Sequence, residues 1–192
     1  MDTRYARYLQ NNVHVRQEHL LQLLPLVGRK KLAKGEILLA AGEVCKRMFF
    51  VETGLARLYA VDGKGKEHII QFAPENWFIS ERGSLYFGTP SAYFLDVLED
   101  SELVVFDQAY LDHASAISTE FRTYHEYLLQ NHIRQLQRRI ELLIGAPAEQ
   151  RYLEFVSLYP DLANRIPQWM IASYLGITAE SLSRVRKNLS GR

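Results

Sequence analysis

Residues 168–187 read QWMIASYLGITAESLSRVRK. Pro167 stands just before this run, where its missing N–H costs nothing, and the residues up to Leu175 carry an apolar helical pattern that Gly176 stops. Ile177 follows as a residue of buried type. Thr178 is suited to cap a second helix, whose apolar stripe is Leu182, Val185 and Leu189. Two helices joined through a tight glycine turn predict a helix-turn-helix. Ala172 lets the two helices cross closely, and Gly176 can take the positive φ of the turn. Ile171, Leu175, Ile177, Leu182 and Val185 supply the core of so small a unit.

Working toward the N-terminus, Ala148–Tyr159 predicts another helix, with Tyr152, Phe155, Val156 and Tyr159 on one face until Pro160. Gly145-Ala146-Pro147 separates it from a long helical region, since neither Gly nor Pro occurs from Gln108 through Ile144. Within that region Leu129, Ile133, Leu136, Ile140 and Leu143 recur at steps of 4, 3, 4 and 3, which places them on one seam. Gln130, His132, Arg134, Gln137 and Arg138 keep the rest of the helix polar. The stripe either packs on its own chain or pairs with a second copy; the polar flanks favour a parallel homodimer helix.

From Lys31 to about Asp107 the texture is different: short runs rich in Val, Ile, Phe, Tyr and Leu between turn signals such as Ala41-Gly42-Glu43, Asp62-Gly63-Lys64-Gly65 and Gly88-Thr89-Pro90. Strands spaced about ten residues apart predict a β-sandwich or barrel-like roll. Leu55–Val61 and Glu67–Phe72 flank the Asp62-Gly63 turn as an antiparallel hairpin. Gln17–Val27 predicts a short helix before the roll, ended by Pro25. The fold class is α+β, with an N-terminal β-roll, a long helix at about 109–145 and a C-terminal helical domain over 146–192.

The chain has 192 residues, 47% hydrophobic and 23% charged, which is an ordinary globular composition. Its net charge of +1 conceals an asymmetry: residues 1–121 sum to −3 and residues 122–192 to +4, so the C-terminal part favours an anionic partner. The polar N-terminus and the lack of any long apolar run predict neither a signal peptide nor a spanning helix, hence no membrane and a cytoplasmic location. The single cysteine, Cys45, cannot close an internal disulfide or hold a zinc ion or iron–sulfur cluster alone.

The order of β-roll, long helix and helix-turn-helix, with Glu180-x-x-Ser183-Arg184 on the last helix, resembles the Crp/Fnr family of transcription regulators over nearly the whole chain. The resemblance implies a homodimer that binds palindromic double-stranded DNA, with RNA polymerase as a further partner. It places Glu180, Ser183 and Arg184 where family members read base edges. The chemistry fits, because Arg bonds bidentately to guanine and Glu accepts from the cytosine amino group. Thr178, Ser181, Arg186 and Lys187 suit phosphate contacts. The family commonly continues into a β-hairpin wing, whereas only Ser190-Gly191-Arg192 follow Leu189, so a full wing is not expected.

In the family's cyclic-nucleotide-binding roll, a Gly-Glu pair and a later Arg-Ser pair hold the sugar and the cyclic phosphate. Here those places read Ser80-Glu81 and Pro90-Ser91. Glu81 remains but the arginine is Pro90, and a buried phosphate without its charged partner is costly. Cyclic AMP is therefore not the expected effector. A pocket of Ser80, Glu81, Arg82, Ser91, Ala92 and, from the long helix, Gln135 then takes an unidentified small molecule or nothing. No cofactor or metal is expected, and the lone Cys45 excludes the family's iron–sulfur option.

A roll of this kind also resembles the cupin fold, which often carries a metal. Of His14, His19, His68, His113, His125 and His132, only His68 lies in a predicted strand, so a metal-dependent enzyme lacks its ligands. No nucleophile elbow, phosphate-binding loop or dinucleotide fingerprint occurs. The chain is not expected to be an enzyme, and an interaction protein whose helix-turn-helix no longer binds DNA is the other alternative.

Overall fold

A computed structural model describes residues 3–190. Gly191 and Arg192, on which the expectation of a missing wing rests, lie outside the described residues. By contact the chain divides into two compact units: the residues up to Ala60 with Ile70–Leu129, and Val61–Ile69 with the residues from Gln130 on.

The first unit opens with α1 (Arg4–Asn11) and α2 (Gln17–Leu23), the second followed by a 3-10 turn at Leu24–Leu26. The periodic pattern of Gln17–Val27 corresponds to α2, whereas α1 is a short run that looks polar in sequence. Thr3 caps it by accepting the Ala6 N–H at 3.2 Å, and Tyr5, Ala6 and Leu9 form its buried face.

The roll follows as β1 (Gly28–Leu32), β2 (Ile37–Leu39), β3 (Met48–Thr53), β4 (Ala56–Val61), β5 (Glu67–Ala73) and β6 (Phe78–Ile79), then, after one helix, β7 (Phe94–Val97) and β8 (Ser101–Phe106). They form two four-stranded sheets, ordered β1-β8-β3-β6 and β2-β7-β4-β5. Asp62-Gly63 lies in the β4–β5 turn, as the hairpin pattern predicts. The intervening helix α3 (Arg82–Phe87) was not foreseen within the β stretch. Glu81 caps its N-terminus, and Gly88 at φ 66° ends it.

Period-two alternation decides what each strand buries. Phe49 and Val51 of β3 join Leu58, Leu95, Val97, Ile79 and Leu103 in the core between the sheets. Met48 and Phe50 point the other way, into a cluster with Tyr5, Leu9, Leu20, Leu23, Phe106, Tyr110 and Phe121. Two hydroxyl pairs tie the N-terminal helix down, Tyr5–Tyr110 at 2.9 Å and Tyr8–Tyr124 at 2.8 Å. Burial and the Tyr110 hydroxyl push the Tyr5 phenol far above its usual range.

The helical region from Gln108 is two helices rather than one: α4 (Gln108–Ile117) and α5 (Thr119–Gly145). The chain leaves helical geometry at Ser118, φ −127° and ψ 114°. The Ser118 hydroxyl donates to Glu120 at 2.9 Å and accepts the Phe121 N–H at 3.2 Å, so a capping signal breaks a run that has neither Gly nor Pro.

The second unit holds the end of α5, the tip of the β4–β5 hairpin, α6 (Ala148–Leu158), a short α7 (Leu162–Arg165) that was not foreseen, α8 (Gln168–Leu175) and α9 (Ala179–Ser190). It therefore takes in more than residues 146–192. Phe155, Tyr159, Leu162, Ile171, Ala172, Leu175 and Leu182 are buried. Phe155, Tyr159 and Tyr174 pack mutually, with ring centroids 5.4–5.8 Å apart.

Candidate nucleic-acid interface and effector site

The turn between α8 and α9 forms because Gly176 adopts φ 64° and ψ 36°. Its N–H donates to the Ser173 carbonyl at 3.1 Å, and the Ile177 N–H donates to the Ala172 carbonyl at 3.0 Å, which closes the end of α8. A Cβ at Gly176 would lie 3.1 Å from Leu143 Cδ2. Thr178 then starts α9, its hydroxyl oxygen accepting the Ser181 N–H at 3.2 Å.

With Leu182 buried and Val185 and Leu189 half-buried, α9 turns Glu180, Ser183, Arg184 and Lys187 to solvent, at the i, i+3, i+4 and i+7 positions of one face. Arg184 Nη2 donates to Ser181 Oγ at 3.4 Å. The Glu180 carboxyl is held below the usual carboxylate range by its own backbone N–H, the Thr178 hydroxyl and the Arg184 charge. Thr178 and Ser181 are thus partly engaged in the cap. Arg186 is half-buried and lines, with Gln168, Ala179, Ser183, Lys187 and Ser190, a concavity of about 370 Å³. Gln168, in the first turn of α8, was not foreseen as part of this surface. Its place beside α9 depends on how the two helices cross.

Three arginines brace this unit. Arg138 pairs with Glu141 and Glu154, so it joins α5 to α6 rather than serving only as a solvated flank. Arg151 donates to the Ala146 carbonyl at 2.9 Å and the Leu175 carbonyl at 3.0 Å, closing the ends of α5 and α8 together. Arg139 donates to the carbonyls of Ile69 and Tyr174. The apolar seam is left uncovered by the described chain: Leu129, Ile133, Leu136, Ile140 and Leu143 are 37–55% exposed. Ile144, 83% exposed, adjoins it, whereas Tyr127, 57% exposed, falls on the opposite side of α5 by the helical period.

The effector residues are mostly engaged in local structure. Glu81 Oε1 accepts the Gly83 N–H at 2.9 Å and Oε2 the Ser84 N–H at 2.6 Å, so both oxygens cap α3. Arg82 lies 5.4 Å from the Tyr86 ring centroid. Ser80 and Ser91 are buried, and the Ser91 hydroxyl donates to the Tyr93 carbonyl at 2.9 Å. Ala92 is exposed, as is Gln135, which belongs to the second unit. The buried arginine of the first unit, Arg57, gives Nε and Nη2 to Asp96 at 2.8 and 2.9 Å, so its charge is already matched. Among the described residues, no group of three or more His, Cys, Asp or Glu side chains is arranged to hold a metal ion, and no helix is long and apolar enough to cross a membrane.

Residues 29–116 match the cyclic nucleotide-binding domain family. The chain is 28% identical over 179 residues to the electron transport regulator A of Shewanella oneidensis, covering 85% of this chain and 70% of that protein. It is also 28% identical over 184 residues to the fumarate and nitrate reduction regulatory protein of Vibrio cholerae, covering 88% and 72%. In fold it is similar to FixK2 from Bradyrhizobium japonicum, with a TM-score of 0.72 at 20% identity over 86% of this chain and 85% of that one.

Proposed function

We propose that this chain, a transcription regulator of the Crp/Fnr type, acts as a homodimer that reads a palindromic DNA site with α9 and answers to a small molecule other than cyclic AMP. The observation that carries the reading is the exposed strip Glu180, Ser183, Arg184 and Lys187 on a helix whose opposite face is anchored by Leu182. In a major groove, Arg184 donates to guanine O6 and N7, Glu180 accepts from the cytosine amino group, and Ser183 bonds to a neighbouring base edge. Arg186 and Lys187, with the hydroxyls of Thr178 and Ser181, meet phosphates and set the register without reading sequence.

Pairing of the seam across a two-fold axis supplies the second copy of α9 and removes the exposed apolar stripe from water. The chain works where the DNA is, in the cytoplasm, and RNA polymerase is its partner at the promoter. Against cyclic AMP stand Pro90 at the phosphate-anchoring place and the occupation of both Glu81 oxygens by the α3 N-terminus. Selection of duplexes from a random library, with and without cell extract, tests the proposal. A two-fold symmetric site should be enriched. An intact dimer that enriches no sequence under either condition would refute DNA reading and favour a protein-interaction role.

A further inference from the structure

β5 is one of the two edge strands of its sheet, so its outward backbone groups need partners other than a strand. Around the hairpin tip those partners come from α5 and α8 of the same unit. The Ile69 N–H donates to Ser173 Oγ at 3.0 Å, and the same hydroxyl donates to the Glu67 carbonyl at 3.2 Å. Arg139 Nη2 donates to the Ile69 carbonyl at 3.0 Å and to the Tyr174 carbonyl at 3.2 Å, with its guanidinium 4.0 Å from the Tyr174 ring centroid. Two side chains thus take up three edge groups and join β5 to both α5 and α8.

The tip itself is stiffened by Asp62. Its Oδ1 accepts the N–H groups of Lys64 and Lys66 at 2.9 and 3.0 Å, and its Oδ2 lies 2.9 Å from His68 Nε2. The His68 ring and these two backbone donors hold the Asp62 carboxyl at about 2.

We infer that the β4–β5 hairpin tip, clamped by Ser173 and Arg139, is a positioning element that sets the direction in which α9 projects from the long helix, and with it the half-site spacing that the dimer accepts. The inference rests on the DNA-binding reading above. Neither Ser173 nor Arg139 belongs to the exposed strip on α9, so their effect runs through geometry and not through contact with DNA. A clamp that merely adds stability would weaken binding to every duplex alike; one that fixes the projection of α9 discriminates between spacings.

The test uses the full chain and the selected site, with its two half-sites at their native separation and with one base pair added or removed, together with a duplex carrying one half-site. Ser173→Ala and Arg139→Gln should reduce the preference for native spacing about threefold to tenfold, the scale of a coupling held by a few hydrogen bonds, with single half-site affinity changed less than about twofold. Ser173→Thr, which keeps the hydroxyl, should restore the preference. Asp62→Ala loosens the tip without touching α5 or α8 and should act in the same direction, so it decides the matter if either clamp variant fails to fold. An unchanged preference in the folded variants, or an equal loss on all duplexes, overturns the inference alone. A wild-type dimer that binds no duplex better than random DNA overturns the DNA-binding reading and this inference with it.

Discussion

Arg184 and Lys187 sit on the same exposed face of α9, yet their chemistry predicts different losses. Arg184→Ala should cost about 1–3 kcal/mol per half-site on the selected operator and much less on random DNA, because a bidentate guanine contact is lost. Lys187→Ala should weaken both and lower the salt slope by about one unit per half-site, since one fewer counterion is released. Titrations of both DNAs at several salt concentrations separate the two, and equal losses for Arg184→Ala would move that residue to the backbone. For the effector, calorimetry with cyclic AMP should show no submicromolar binding, because a ribose hydroxyl would have to displace the α3 cap from Glu81 and the phosphate would meet Pro90. The strip on α9 was legible because charge and helical period are local properties. Gln168 and Arg139 were not, since each matters through a residue far away in sequence: Gln168 through α9, and Arg139 through Ile69 and Tyr174.

Among the elements, the α8–α9 turn allows the least substitution. Gly176→Ala must hold an L-residue at φ 64° and brings a Cβ within 3.1 Å of Leu143 Cδ2. A loss of about 1–2 kcal/mol in thermal unfolding is expected from the backbone alone, and more if Leu143 cannot shift. On α5, changing Leu136 and Ile140 together to Lys places charges on the seam and should give monomers by sedimentation velocity with the secondary structure retained. A wild-type chain that is monomeric at micromolar concentration would remove the basis for a palindromic site. The seam itself could be read from its spacing, whereas its uncovered state could not, because periodicity identifies an apolar face without saying what covers it. The break at Ser118 lay in plain view as Ser-Thr-Glu, but the absence of Gly and Pro outweighed it. α1 and α3 are not legible in the sequence because short helices show too few turns for a period to emerge.

For the whole molecule, footprinting of the selected site should show protection in two successive major grooves about 34 Å apart, the separation expected of a two-fold dimer of such readers. The order of roll, long helix and helix-turn-helix was determined by sequence alone, because each part announces itself within a window of a few residues: alternation with turn signals, a heptad stripe, a glycine between two apolar patterns. The apolar stripe of Leu182, Val185 and Leu189 was read by the same local code, and the resemblance it supports put Glu180, Ser183 and Arg184 together as base readers. Only the tertiary structure decided which groups remain available. It committed both Glu81 oxygens to α3, matched Arg57 with Asp96 in the interior, and set Ser173 and Arg139 on the edge of β5. Those outcomes depend on partners 39 to 106 residues apart for the matched arginine and the edge clamp. Such pairings arise when packing brings distant segments together and every buried donor and acceptor must be satisfied, a condition that no stretch of sequence states by itself.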